Sequence, residues 1–175
     1  MEMISRITAY FAYPVRGANG DNATKGEMRD NLEAGKDLCD RFRNESGWTI
    51  FCPHDAVNED VCAAAYHLTD DDGNPRVTGQ QIVNHCKQIL ALADVFILGV
   101  DNYNHKDGCM CGVCQEWRRA KELGIPVYPA GYLVGEPIGA TAEDLAADVR
   151  DFEIEYGLRP APPKIAPTLP AGIEA

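Results

Sequence analysis

The chain has 175 residues, a length that fits one domain able to bury roughly two-thirds of its unfolded surface. Its composition, 45% hydrophobic and 25% charged, is that of an ordinary globular protein. A formal net charge of −11 argues against a nucleic-acid polymer as partner, because phosphate backbones call for a basic footprint. The same charge leaves room for a small anion held by one arginine and a helix N-terminus.

No apolar run nears the roughly 20 residues of a membrane span, so no membrane partner is expected. Met1-Glu2-Met3-Ile4-Ser5-Arg6 carries an acidic residue and runs directly into a strand, which reads as a cytoplasmic chain without a signal peptide. In that compartment the seven cysteines are expected as thiols rather than disulfides.

In chain order, Ile4 to Phe11 is a strand, ended by Pro14 and a loop containing Gly17, Asn19 and Gly20. From about Thr24 to Asn44, the spacing of Met28, Leu32, Cys39 and Phe42 predicts an amphipathic helix, closed by Gly47. Trp48 to Cys52 is a short apolar strand stopped at Pro53. Residues 54–78 are polar and irregular, with a turn at Asp70 to Pro75 and one short helix around Val61 to Tyr66. Thr78 is placed to cap a helix that carries Ile82, Cys86, Ile89 or Leu90, and Ala93 on one face.

Asp94 to Val100 is nearly all apolar, as expected of a central parallel strand covered on both faces. A loop over 101–111 leads to a helix ending at Gly124, with Glu116 expected on its first turn. Ile125 to Tyr128 is the next strand, and Thr141-Ala142-Glu143-Asp144 opens a last helix that ends near Tyr156-Gly157. Five prolines among the last eighteen residues exclude a compact core there, so 158–175 is read as an extended tail following a domain over 1–157. Strands alternating with helices predict a single α/β domain, three-layered and Rossmann-like (flavodoxin-like), with a mostly parallel sheet of about five strands.

Two clusters carry chemistry. Gly112 to Glu116 brings a carboxylate to a helix start after a strand and loop, where open α/β sheets bind ligands. His105, Cys109, Cys111 and Cys114 place an imidazole and three thiols within ten residues, a candidate structural zinc site, with thiols merely lining a pocket as the plainer reading.

The segments Ala9-Tyr10-Phe11, Val15-Arg16-Gly17, Asp94-Val95-Phe96-Ile97 and Gly112-Val113-x-x-Glu116-x-x-x-Ala120 together resemble the nucleoside 2-deoxyribosyltransferase superfamily. Within it the likeness is greater to the 2'-deoxynucleoside 5'-phosphate N-hydrolases and related pyrimidine-nucleotide N-glycosidases. The match runs in order from about residue 5 to 130.

The resemblance implies cleavage of a base–sugar bond in a (deoxy)nucleoside 5'-monophosphate, with Glu116 as nucleophile, Tyr10 orienting it, and no cofactor. A carboxylate suits that task, since it stabilises an oxocarbenium-like transition state and can form a glycosyl ester. The resemblance also implies a phosphate contact from Arg16 and Gly17, pocket positions for His54, Asp94 and Gly112, and a homo-oligomer; for Asp94, which begins the apolar strand, capping or positioning the chain is the plainer reading.

Two departures weigh on the reaction. The register at which the family carries an Asp on the helix before the third strand lands on Cys86, a poor general acid, so the neighbouring His85 is the candidate substitute. Met110 stands where the transferases have an Asp, which favours hydrolysis over transfer. A nucleoside 2-deoxyribosyltransferase and a non-catalytic nucleotide-binding protein remain the alternatives.

Overall fold

The computed structural model describes residues 7–56, 79–99, 109–130 and 142–159. Strand β1 (Thr8–Ala12) is followed by a 3-10 turn (Gly17–Asn22) and helix α1 (Lys25–Ser46). Next come β2 (Thr49–Phe51), the single turn α2 (Pro53–Ala56), α3 (Gly79–Leu90), β3 (Val95–Leu98), α4 (Gly112–Leu123), β4 (Val127–Pro129) and α5 (Ala142–Glu155).

The four strands form one all-parallel sheet in the order β2-β1-β3-β4. Against an expectation of about five, the described residues supply four. Helices α1 and α5 cover one face: Leu38, Cys39 and Phe42 meet Leu145, Val149 and Phe152 over Phe11, Ile50, Ile97 and Tyr128. On the other face Cys86 and Leu90 of α3 and Val113 and Ala120 of α4 pack on Tyr10, Ala12 and Phe96. The domain is therefore a three-layer α/β fold of Rossmann-like type.

Local chemistry explains the boundaries. Helix α1 starts at a reciprocal cap, where the Glu27 amide donates to Thr24 Oγ1 at 3.2 Å and the Thr24 amide donates to Glu27 Oε2 at 2.7 Å. It ends at Gly47, whose φ of +69° is the left-handed geometry glycine adopts at least cost. Pro129 sits in β4, on the outer side of the described sheet, where its missing amide disrupts no ladder.

Topology marks a switch point in the sheet. From β1 the chain steps to β2 on one side, then returns past β1 to β3 on the other. The direction of winding reverses between β1 and β3, and the crevice beyond their carboxyl ends is where such sheets accept ligands. Tyr10 lies on β1, and Glu116 on the helix after β3.

Two expectations are revised, and others fall outside the described residues. Helix α4 begins one residue after its cap, Cys111, so Glu116 is its fifth residue and no acidic side chain occupies the first turn. Being a full turn in, Glu116 gains little from the helix dipole, which decays within the first turn. The proposed tail begins docked: Leu158 packs on the α1/α5 core and Arg159 pairs with Glu153. The expected helix at 61–66, the turn at 70–75, the caps at Thr78 and Thr141, His105 and residues 160–175 lie outside the described residues.

Candidate active site

Val113, Glu116 and Ala120 are spaced three and four apart, so they share the face of α4 that packs on the sheet. Glu116 thus occupies a position that an apolar residue would normally fill, and it is 7% exposed. Burying a carboxylate costs several kcal/mol unless partners offset it. Such a cost is retained at sites with a task.

Tyr10 faces it from β1. Its ring is held between cross-strand neighbours, stacked on Phe96 at 5.9 Å and tilted against Phe51 at 5.7 Å. This clamp aims the hydroxyl at the gap between sheet and helices. The oxygen is fully shielded from water and makes no hydrogen bond of normal geometry, although Glu116 and Cys86 lie close enough to act on it. Burial raises the Tyr10 pKa far above its ordinary value, and the charges of Glu116 and Cys86 raise it further. Burial likewise pushes the Cys86 thiol up, the nearby Tyr10 hydroxyl pulls it down, and the Glu116 charge adds a smaller upward push.

The structure therefore brings Tyr10, Cys86 and Glu116 together. His85, one position along α3, is exposed, because neighbouring residues on a helix point about 100° apart and Cys86 takes the inward direction. The thiol, not the imidazole, faces the carboxylate.

Arg16 and Gly17 follow β1 beyond the carboxyl edge of the sheet. They line an open cleft of about 290 Å³ with Asn19, Glu27, Asp30 and Asn31. Gly17 has φ +54°, and a Cβ there would meet Asn31 Nδ2 at 2.7 Å, while that same amide donates to the Val15 carbonyl at 3.0 Å. The loop is thus shaped by glycine and pinned to α1. Its electrostatics are mixed: one guanidinium faces two carboxylates.

Asp94 is not part of this site. It accepts a hydrogen bond from the Thr8 amide at 2.8 Å and sits at the amino ends of β1 and β3. Four strand residues at about 3.3 Å each separate it from the carboxyl edge. Its work is to tie the starts of two strands. Gly112 opens α4 with its Cα side toward α3, where a Cβ would rest 3.4 Å from Val83, which makes it a helix-packing position. His54 lies in α2 just after β2, at the same edge of the sheet as Tyr10's strand end, and its side chain is outside the described positions.

Beside Glu116, Gln115 forms a network that residue spacing did not foretell. Its Oε1 accepts from Lys87 Nζ at 3.0 Å and Gln80 Nε2 at 3.1 Å, and its Nε2 donates to the Met110 carbonyl at 2.7 Å. The amide ties α3 to the segment entering α4. Lys87, Arg118 and Arg119 with Glu122 edge a shallow cleft of about 180 Å³ there, cationic in a chain of strongly negative charge. The only hint in the sequence was a glutamine adjoining the key carboxylate.

At the same helix start, the thiol sulfurs of Cys109, Cys111 and Cys114 all lie within 4.8 Å of one another. The six described cysteines carry no disulfide. Among known protein families, curated proteins and solved structures, none matches the chain.

Proposed function

We propose that the protein is an N-glycosidase that hydrolyses the base–sugar bond of a (deoxy)nucleoside 5'-monophosphate, with Glu116 as nucleophile. The observation that carries this reading is a buried carboxylate set against a phenol, in the layer between α4 and a parallel sheet whose winding reverses between β1 and β3. The sequence resemblance supplies the substrate class.

In this mechanism a Glu116 oxygen attacks C1' of the sugar as the C1'–N bond to the base breaks, leaving a glycosyl ester on the carboxylate. Water then attacks C1', releasing sugar phosphate and restoring Glu116. Tyr10, its proton held by burial, donates toward the carboxylate and fixes its direction. Arg16 and the amides around Gly17 take the 5'-phosphate end. The resemblance further implies a homo-oligomer, and the N-terminal sequence, with cysteines expected as thiols, supports a cytoplasmic setting. Among the described residues no helix is long and apolar enough to cross a membrane.

A second reading is favoured by Cys86, which occupies the inward position where the family's acid stands. A neutral thiol protonates a departing base poorly, so the pocket would hold a nucleotide without turning it over. Incubation with each common nucleoside monophosphate, followed by chromatography for free base, separates the two. Release that vanishes in Glu116→Gln supports the glycosidase; thermal stabilisation by a nucleotide without release supports the binding protein.

A further inference from the structure

The geometry points to a zinc-binding site formed by the thiolates of Cys109, Cys111 and Cys114 at the start of α4. Three observations converge on it. The sulfurs are mutually within 4.8 Å, and two ligands on a tetrahedral zinc with Zn–S of ~2.3 Å stand about 3.8 Å apart. Closing that difference needs only small side-chain rotations.

Second, the backbone already serves the sulfurs. The Cys111 amide donates to Cys109 Sγ and the Cys114 amide to Cys111 Sγ, each at 3.5 Å. Amides aimed at sulfur are the outer support that orients thiolate ligands and disperses their charge.

Third, the surroundings balance the charge. Zinc displaces three thiol protons to solvent and leaves a tris-thiolate centre of net charge −1. The Arg118 guanidinium, bonded to the Cys109 carbonyl and 3.7 Å from Met110 Sδ, stands beside that centre. An all-thiolate set selects soft, tetrahedral cations over magnesium or calcium. Among the described residues these three thiols are the ligand set. Bound metal would clamp residues 109–111 onto the first turn of α4, and so fix the helix that carries Glu116.

The test uses the full chain, purified reduced and stripped with a chelator, then titrated with Co2+ alone. One Co2+ per chain is expected, with sulfur-to-cobalt charge-transfer absorption and tetrahedral ligand-field bands that an equivalent of Zn2+ abolishes. Cys109→Ser, which alters the least buried of the three thiols, and Cys111→Ser should each weaken Co2+ binding by more than the roughly 100-fold seen on losing outer-shell support. Cys52→Ser, on the opposite face of the sheet, should leave it unchanged. Absence of the charge-transfer band overturns the site. So does a band that survives both Cys109→Ser and Cys111→Ser, or a disulfide among these thiols whose reduction restores no metal binding.

Discussion

The Tyr10 phenol and the Glu116 side chain meet inside the layer between the sheet and α4, at 0% and 7% exposure. Neither belongs there on packing grounds. Phenylalanine would fill the strand position without an orphaned hydroxyl, and leucine or alanine the helix position without a buried charge. A buried carboxylate facing a buried phenol is the kind of arrangement that the proposed reaction calls for.

Glu116→Gln separates these effects. On the proposed mechanism, loss of the Glu116 carboxylate should reduce base release on the order of 10⁴-fold. Stability should hold or rise, because a neutral amide of equal size relieves the burial of charge. Chromatographic rates and urea denaturation read the two quantities. Full activity, or a loss of more than about 2 kcal/mol of stability, would recast Glu116 as a structural residue.

Tyr10→Phe removes a hydroxyl that makes no well-formed hydrogen bond, so stability at neutral pH should stay within about 1 kcal/mol of the parent or exceed it. Activity should fall by roughly 10²-fold, the scale of losing one oriented donor. The folded Tyr10 pKa is raised, so the native state holds this proton more tightly than the unfolded chain. That contribution is complete below the unfolded value of about 10 and declines as pH climbs above it. Urea midpoints measured from about pH 8 to 11 should drop less in Tyr10→Phe than in the parent.

The layers of this fold were legible because periodicity is a local signal. Leu32, Cys39 and Phe42 on α1 and the apolar run Val95 to Leu98 announce their surroundings within one element. A motif singles out Glu116, and its burial accords with an inward-facing position; its place one turn further into α4 than expected follows from a cap that is a cysteine, whose sulfur accepts the Cys114 amide. Opaque were features that depend on which elements meet. For Asp94 the sequence offered a pocket role and a chain-positioning one, and strand direction, which sets it at the amino edge, favours the second. His85 and Cys86 differ by one step of 100°, and only the packing of α3 on β1 decides which faces inward. The partnership of Glu153 with Trp48 spans more than a hundred residues and has no local signature.

That partnership yields a stability prediction. Glu153 is 1% exposed; its Oε1 accepts from Trp48 Nε1 at 2.7 Å, and its Oε2 lies 2.6 Å from Arg159 Nε. Trp48→Phe keeps an aromatic against Tyr128 and Phe152 but strips one donor from a buried carboxylate. A loss of about 1.5–3 kcal/mol is expected, the range for hydrogen bonds to charged groups, with packing changes added. Arg159→Ala should cost less, since that guanidinium is 48% exposed and water can replace it in part. Denaturant titration ranks the two, and the reverse order would place the strength of the clamp in the ion pair.

On the proposed mechanism, substrate choice rests on the loop after β1. Arg16→Ala should raise KM for a nucleoside 5'-monophosphate at least about tenfold, the equivalent of one charge-assisted contact of 1.5 kcal/mol or more. The corresponding nucleoside, lacking the phosphate, should lose nothing. Gly17→Ala should act on the same parameter indirectly, because a methyl group forces the left-handed backbone or the Asn31 amide to move. Opposition from Glu27 and Asp30 in that cleft predicts a further sign: Asp30→Asn removes a negative charge facing the phosphate and should lower KM. Equal loss for nucleotide and nucleoside in Arg16→Ala would move the phosphate elsewhere. The cationic cleft of Lys87, Arg118 and Arg119 would then be the place to look.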